Sequence, residues 1–383
     1  MLNPIRYTFC CIILIILVAC ATSDLETLSL DPIGAPTGPV WPPSPQTTRV
    51  QYTKSVSGPS DIGIKKSWFK KTIDTLLGKD EAVELLLRPY GVFADYERIY
   101  VADPGSRLLH VFDIRRKEYF TIHEAGKDEF ISPIGVAADK NGDIYLSDSL
   151  LKRVFVFDRD GKYLRAIGSA DLFIRPAGIA IDEERLYVVD THGHKIVAFS
   201  KRDGSLLFNF GKNGSGKGAF NYPTNIFIAK DGLIYISDSM NFRVQIFDKQ
   251  GHFISMFGKH GDGSGDLSKS RGIAVDSDGN VYVADALFDA VQIFNKDGRL
   301  LLAFGKTGRG NGQMILPAGL FIDDRDKIYV ADSYNNRVQI FQYLKEKGSG
   351  GQGAKDSSGK QSRKLESSSP QATGQDGNTK NGN

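Results

Sequence analysis

The chain has 383 residues, with 48 Lys and Arg against 45 Asp and Glu, a formal net charge of +3. That balance, with no basic block in the body of the chain, removes the electrostatic footing for a nucleic-acid partner. Gly (41), Phe (23) and Tyr (15) are plentiful together, which suits many short strands joined by glycine turns and argues against disorder as the main state.

The first element is a processing segment. Residues 9–18 are continuously apolar, and residues 17–20 read Leu-Val-Ala-Cys. The run is too short to span a bilayer comfortably, and small residues before a cysteine mark residues 1–19 as an export signal. The tetrapeptide resembles the bacterial lipobox, which implies cleavage before Cys20 and a diacylglycerol on its thiol. The alternative is an uncleaved membrane helix that would keep Cys10 and Cys11. After cleavage Cys20 is the only cysteine, which leaves no disulfide, no cysteine metal site and no cysteine nucleophile. Two acyl chains suffice for stable attachment to a lipid bilayer. Ala21, in place of an Asp, implies the outer membrane of a Gram-negative envelope by the same resemblance.

Residues 20–48 carry Pro32, Pro36, Pro39, Pro42, Pro43 and Pro45 among Ser, Thr and Gly, and read as a partly extended tether. Residues 49–55 (RVQYTKS) form a lone strand pattern. Over 62–78, Ile64, Trp68, Ile73, Leu76 and Leu77 recur at helical spacing between Lys65, Lys66, Lys70 and Lys71, and Gly78 is a stop. This short helical insertion either packs on the body of the fold or dips into a lipid surface.

A repeat follows, and it decides the fold. An apolar-Tyr-apolar-small-Asp phrase ends at Asp103, Asp148, Asp190, Asp238, Asp285 and Asp332, at spacings of 45, 42, 48, 47 and 47 residues. A Phe stands nine residues after each Asp, from Phe112 to Phe341. Within one unit, GIAVD (272–276), VYVAD, AVQIF (290–294) and LLLAFG (300–305) alternate and are joined by Asp-Gly turns, the pattern of an antiparallel meander. Six such units predict an all-β, six-bladed β-propeller over 49–343 with four-stranded antiparallel blades. The sixth unit runs into the tail without a fourth strand, so the strand at 49–55 is expected to close blade six. Residues 344–383 are a polar tail with too few apolar residues to order itself.

Units four (YPTNIFIA…IYISDSMNFRVQIF) and six (LPAGLFID…IYVADSYNNRVQIF) resemble the NHL repeat. With the lipobox and the Trp41-Pro-Pro tether, the chain is similar to bacterial NHL-propeller lipoproteins. The resemblance implies a site on the face formed by the Pro-x-Gly entries and the turns after each Asp. The entry residues are Tyr90, Ile134, Ala177, Thr224, Arg271 and Ala318. Amidating lyases of NHL type place zinc-binding histidines at several entries, and none stands here; a virginiamycin-lyase-type acid/base histidine is also missing. No catalytic residue, metal or cofactor is therefore assigned.

The residues two past each Asp are Gly105, Leu150, His192, Met240, Leu287 and Tyr334, with Leu151, Phe242 and Phe288 nearby. Exposed aromatic clusters mark recognition surfaces, although some of these side chains could instead fold back between blades. The leading expectation is a non-enzymatic recognition or scaffold lipoprotein, binding an envelope protein, peptide or polysaccharide through Tyr90, Arg271, His192, Phe242, Phe288 and Tyr334. A metal-dependent lyase or lactonase-like enzyme is the alternative. His192 and His194 would then lie on one side of a strand as a metal pair.

The repeated Asp residues read better as structural caps than as a calcium ring. Arg153, Lys195, Arg243 and Arg337 stand five residues after Asp148, Asp190, Asp238 and Asp332, in reach of an ion pair. Leu108 and Ala290 hold that place in blades one and five, which makes Asp103 and Asp285 the better site candidates among the six.

Overall fold

The computed structural model describes residues 38–64 and 85–345. Cys20, the signal segment, the tail beyond 345 and residues 65–78 of the expected helical insertion lie outside them. A short 3₁₀ turn, Pro59–Ile62, leads into that insertion, whose described part ends at the buried Ile64.

Six antiparallel sheets follow one another along the chain. Blades one to five each have four strands in chain order, and their innermost strands are Gly91–Ala94, Pro133–Ala138, Pro176–Ile181, Pro223–Ile228 and Ser270–Val275. Blade six begins with Pro317–Ile322 and Lys327–Asp332. Its third strand, Arg337–Tyr343, pairs with Val50–Val56 from the N-terminal part of the chain. The ring is closed by that pairing. Val40–Trp41 then adds a fifth strand outside Val50–Val56. The Trp41 ring sits 5.7 Å from Phe304 and 5.8 Å from Phe341. The tether expected over 20–48 therefore becomes part of the propeller by residue 40: an indole can be half-buried there, and its neighbours gain ladder partners.

The alternation in the repeat has a direct physical meaning, because each blade is buried on both faces. In IYVAD of blade one, Ile99 and Val101 pack against blade six, while Tyr100 and Ala102 pack against blade two. The same division recurs around the ring, and one apolar cluster fills the space between each pair of neighbours. The Tyr hydroxyl reaches a turn Asp at the far end of its blade: Tyr100 donates to Asp95 (3.1 Å), Tyr282 to Asp276 (3.0 Å) and Tyr329 to Asp323 (3.2 Å).

Each repeated Asp is fully buried and accepts hydrogen bonds from the segment that enters its own blade. Asp148 takes the amides of Ile131 (2.8 Å) and Ser132 (2.9 Å), then those of Leu150 and Leu151 (both 3.0 Å). Asp103 and Asp285, without a basic partner, are no freer: Asp103 accepts from Leu87, Arg88, Gly105 and Ser106, and Asp285 from Ser268, Lys269 and Leu287. Their promotion as site candidates is thus corrected. The expected ion pairs form in two blades, Arg243 with Asp238 (2.8 Å) and Arg337 with Asp332 (2.9 Å). Arg153 turns to Asp128 (3.2 Å) and Lys195 to the Leu172 carbonyl (3.1 Å). The reason is local. In blades four and six a glycine-rich loop offers carbonyls to the guanidinium, from Ser215, Gly216 and Ala219 to Arg243, and from Gly310 and Gln313 to Arg337.

Blade one differs from blades four to six at one buried position. Gln245, Gln292 and Gln339 each accept a glycine amide and donate to a loop carbonyl. His110 replaces them in register. It is fully buried, 3.1 Å from the Ser106 hydroxyl and 2.9 Å from that of Tyr119. Burial pushes its pKa down from 6.5 to about 4, against the opposing pull of Asp103.

Two stability predictions follow from this architecture. At the axis, a Cβ on Gly319 would collide with the Tyr90 carbonyl oxygen, which already accepts the Gly319 amide at 2.8 Å. Gly319→Ala should cost roughly 2 kcal/mol or more and lower the thermal midpoint by several degrees, whereas Gly216→Ala, with nothing within 4 Å, should not. For His110, the unfolded chain takes up a proton below pH 6.5 while the folded chain resists until about pH 4. Stability attributable to this residue is therefore complete above pH 6.5 and is lost as pH falls toward 4, by about 3 kcal/mol in all. His110→Gln should flatten that part of the pH dependence of the melting temperature between pH 7 and 4.

Candidate recognition face

The register places the entries and the post-Asp turns on one face. Pro133 pairs with Asp148, Pro176 with Asp190, Pro223 with Asp238, Ser270 with Asp285 and Pro317 with Asp332. In these five blades the ladder slips at that point, a bulge that turns the entry residue off the regular pleat. Tyr90, Ile134 and Thr224 line the entry end of an axial channel of about 470 Å³. Ala177 and Ala318 are buried. Thr224 ties its hydroxyl to the Arg271 carbonyl at 3.0 Å.

The expected face residues fall into three environments. Arg271 and Tyr90 come together, the guanidinium 5.8 Å from the ring centroid. Tyr334 is half-exposed and has a cation of its own, Arg88, at 5.2 Å. His192 rests against Tyr222 at 5.1 Å. His194 meets the same ring at 4.8 Å and accepts the Tyr222 amide through Nδ1 (3.2 Å). The two histidines lie in a tight turn rather than a strand, and His194 has a φ of 52°. The alternation argument for a metal pair fails there, because turn geometry sets the two ring directions independently. Phe242 folds back, 4.2 Å from His260 and against the core between blades four and five. Phe288 is half-buried.

The face carries more than those six residues. Leu87, Ile131, Ile174, Tyr222, Leu150, Met240, Leu287 and Tyr334 are between 41% and 60% exposed. The positions just before each entry Pro had not been weighed, yet they supply half of this surface. A sequence signal was available, since Leu87, Ile131, Ile174 and Ile315 all stand two residues before an entry proline. Charge is one-sided. The entry segments and post-Asp turns contribute Arg88, Arg107, Lys152, Arg175, Lys269 and Arg271. Their one carboxylate, Asp289, accepts from the Leu316 amide (2.7 Å) and the Thr307 hydroxyl (2.8 Å). Among the described residues, no three His, Cys, Asp or Glu side chains gather as a metal site would require.

Comparisons with known proteins agree with this architecture. A family model described as a 6-bladed β-propeller matches residues 124–210 and 215–290, and an NHL-repeat model matches residues 315–341. Protein brain tumor of Drosophila melanogaster is 28% identical over 129 residues, 32% of this chain and 12% of that protein. The chain thus spans a small part of that relative's length. A structural genomics protein of unknown function from Bacteroides thetaiotaomicron superposes with a TM-score of 0.54 at 16% identity, covering 77% of this chain and 76% of that one. Streptogramin B lyase superposes with a TM-score of 0.52 at 11% identity, covering 68% of this chain and 94% of that one. At such identities the structural matches speak for the fold alone. With six consecutive sheets closed into a ring, the chain is a six-bladed β-propeller, and its sixth repeat matches the NHL repeat.

Proposed function

We propose that this protein is a non-enzymatic recognition lipoprotein whose entry face captures an anionic envelope protein, peptide or polysaccharide. A lipid on Cys20 would hold it to the bilayer, in a Gram-negative cell to the outer membrane. The observation that carries the reading is the pairing of two cations with aromatic rings on this face. Arg88 over Tyr334 and Arg271 over Tyr90 keep two guanidinium groups stacked and oriented, with their edges available for hydrogen bonds. Exposed Leu, Ile and Met side chains between them supply apolar contact area, the mixture expected at a protein-binding surface. A lyase or lactonase reading has no comparable support, because the entry ring offers no histidine.

Arg88→Glu together with Arg271→Glu should lower retention of envelope partners, captured from a detergent extract at low salt, by about tenfold or more, since two charge-assisted contacts are lost. Rising ionic strength should weaken wild-type capture in the same direction. Unchanged retention by the double variant would move the site off this face. Anchoring is tested separately: cells fed an alkyne fatty acid should label the wild-type chain but not Cys20→Ser, and labelling of both would end the lipoprotein reading.

A further inference from the structure

The axial channel also reaches the opposite face, where the first strand of each blade turns into the second. Its wall there is apolar. Phe321 of blade six lies 4.5 Å from Phe93 of blade one and 6.0 Å from Phe227 of blade four, so three rings converge on the axis. Ile181 and Ile228 complete the lining. A lumen of about 470 Å³ is of the size that holds a small organic molecule.

The rim of this end is charged, and nearly all of its charges are committed. Asp95 accepts the amides of Glu97 and Arg98 and the Tyr100 hydroxyl; Asp323 accepts those of Arg325 and Lys327 and the Tyr329 hydroxyl. Asp139 holds two turn amides and Lys201 (3.3 Å). Lys140 pairs with Glu183 (2.9 Å) and Lys230 with Asp324 (3.5 Å). Arg325 is the exception. Its guanidinium lies 3.6 Å from the centroid of the Tyr96 ring, and its buried Nη2 has no hydrogen-bond partner. A buried guanidinium nitrogen without an acceptor is costly, and a carboxylate is the group that best satisfies it.

We propose that this end of the channel binds a small monocarboxylate with an apolar body, such as a medium-chain fatty acid. Its carboxylate would meet Arg325, and its chain would lie against Phe93, Phe227 and Phe321. The site lies at the opposite end of the same channel from the entry residues Tyr90, Ile134 and Thr224. The test is calorimetric titration of the purified chain with decanoate and, in parallel, with the uncharged decanol. Decanoate should bind saturably at one site per chain. Arg325→Ala, on the rim and outside the core, should weaken decanoate about tenfold or more and leave decanol within about twofold. Ile181→Phe and Ile228→Phe each add a ring to the lumen and should weaken both ligands; whichever keeps the wild-type melting temperature decides that arm. Arg271→Ala should change neither. Absence of saturable decanoate binding, equal binding by Arg325→Ala, or undiminished binding by the filled variant overturns the proposal.

Discussion

The structure depends on one repeated interaction: a buried carboxylate at the end of each second strand that gathers the amides of the segment entering the same blade. An ionised carboxylate placed in a protein interior is unfavourable unless its lone pairs are filled. Here backbone N–H groups fill them, four in each of blades one and two. Backbone donors are always present, so the device survives where side-chain partners have been lost. Blades four and six add a guanidinium, an asparagine and a glutamine to the same carboxylate. Blades one, two, three and five manage without the ion pair. The carboxylate is thereby occupied in structure. By fixing the entry segment, it also fixes where the face residues stand.

Ring closure follows the same logic at larger scale. Every blade buries both faces against its neighbours, so a missing strand in blade six would expose the apolar cluster shared with blade five. Val50–Val56 removes that exposure by pairing along nearly all of Arg337–Tyr343. Val40–Trp41 extends the protection, and Trp41 joins Phe304 and Phe341 at the seam. Two distant parts of the chain are thus held in one sheet, which makes closure a long-range contact formed late in the sequence but early in the chain.

Much of this was legible in the sequence because strand alternation and turn chemistry are local. The repeated phrase located every second and third strand, and the orphan pattern at 49–55 located the closing strand. Trp41 was not legible: a proline-rich stretch looks like tether, and only the tertiary seam explains why an indole is half-buried there. The candidate face was legible in outline. Tyr90, Arg271 and Tyr334 stand on it, whereas Arg88 and Tyr222 sit before the entry proline, where no periodicity distinguishes an exposed residue from a buried one. The inward fold of Phe242 was not legible for a related reason, and the turn holding His192 and His194 leaves their strand alternation without force. Phe242 and His194 are left-handed turn residues, and in such turns side-chain direction is set by the turn and cannot be read from spacing.

The recognition face owes its shape to departures from six-fold symmetry. Six identical entry residues would form a uniform ring, but this ring mixes large and small residues. Arg271 belongs to blade five and Tyr90 to blade one, with blade six between them. They meet because the intervening entry residue is Ala318, which is fully buried and leaves the space above it open. A larger residue there would separate the cation from its ring. Arg88, from blade one, reaches Tyr334 on blade six, so both cation–aromatic pairs lie over the same sector. The sector coincides with the blade that the N-terminal strand completes. The candidate face and the closure therefore share one part of the ring, and a distortion at the seam would be felt directly by both cation–aromatic pairs.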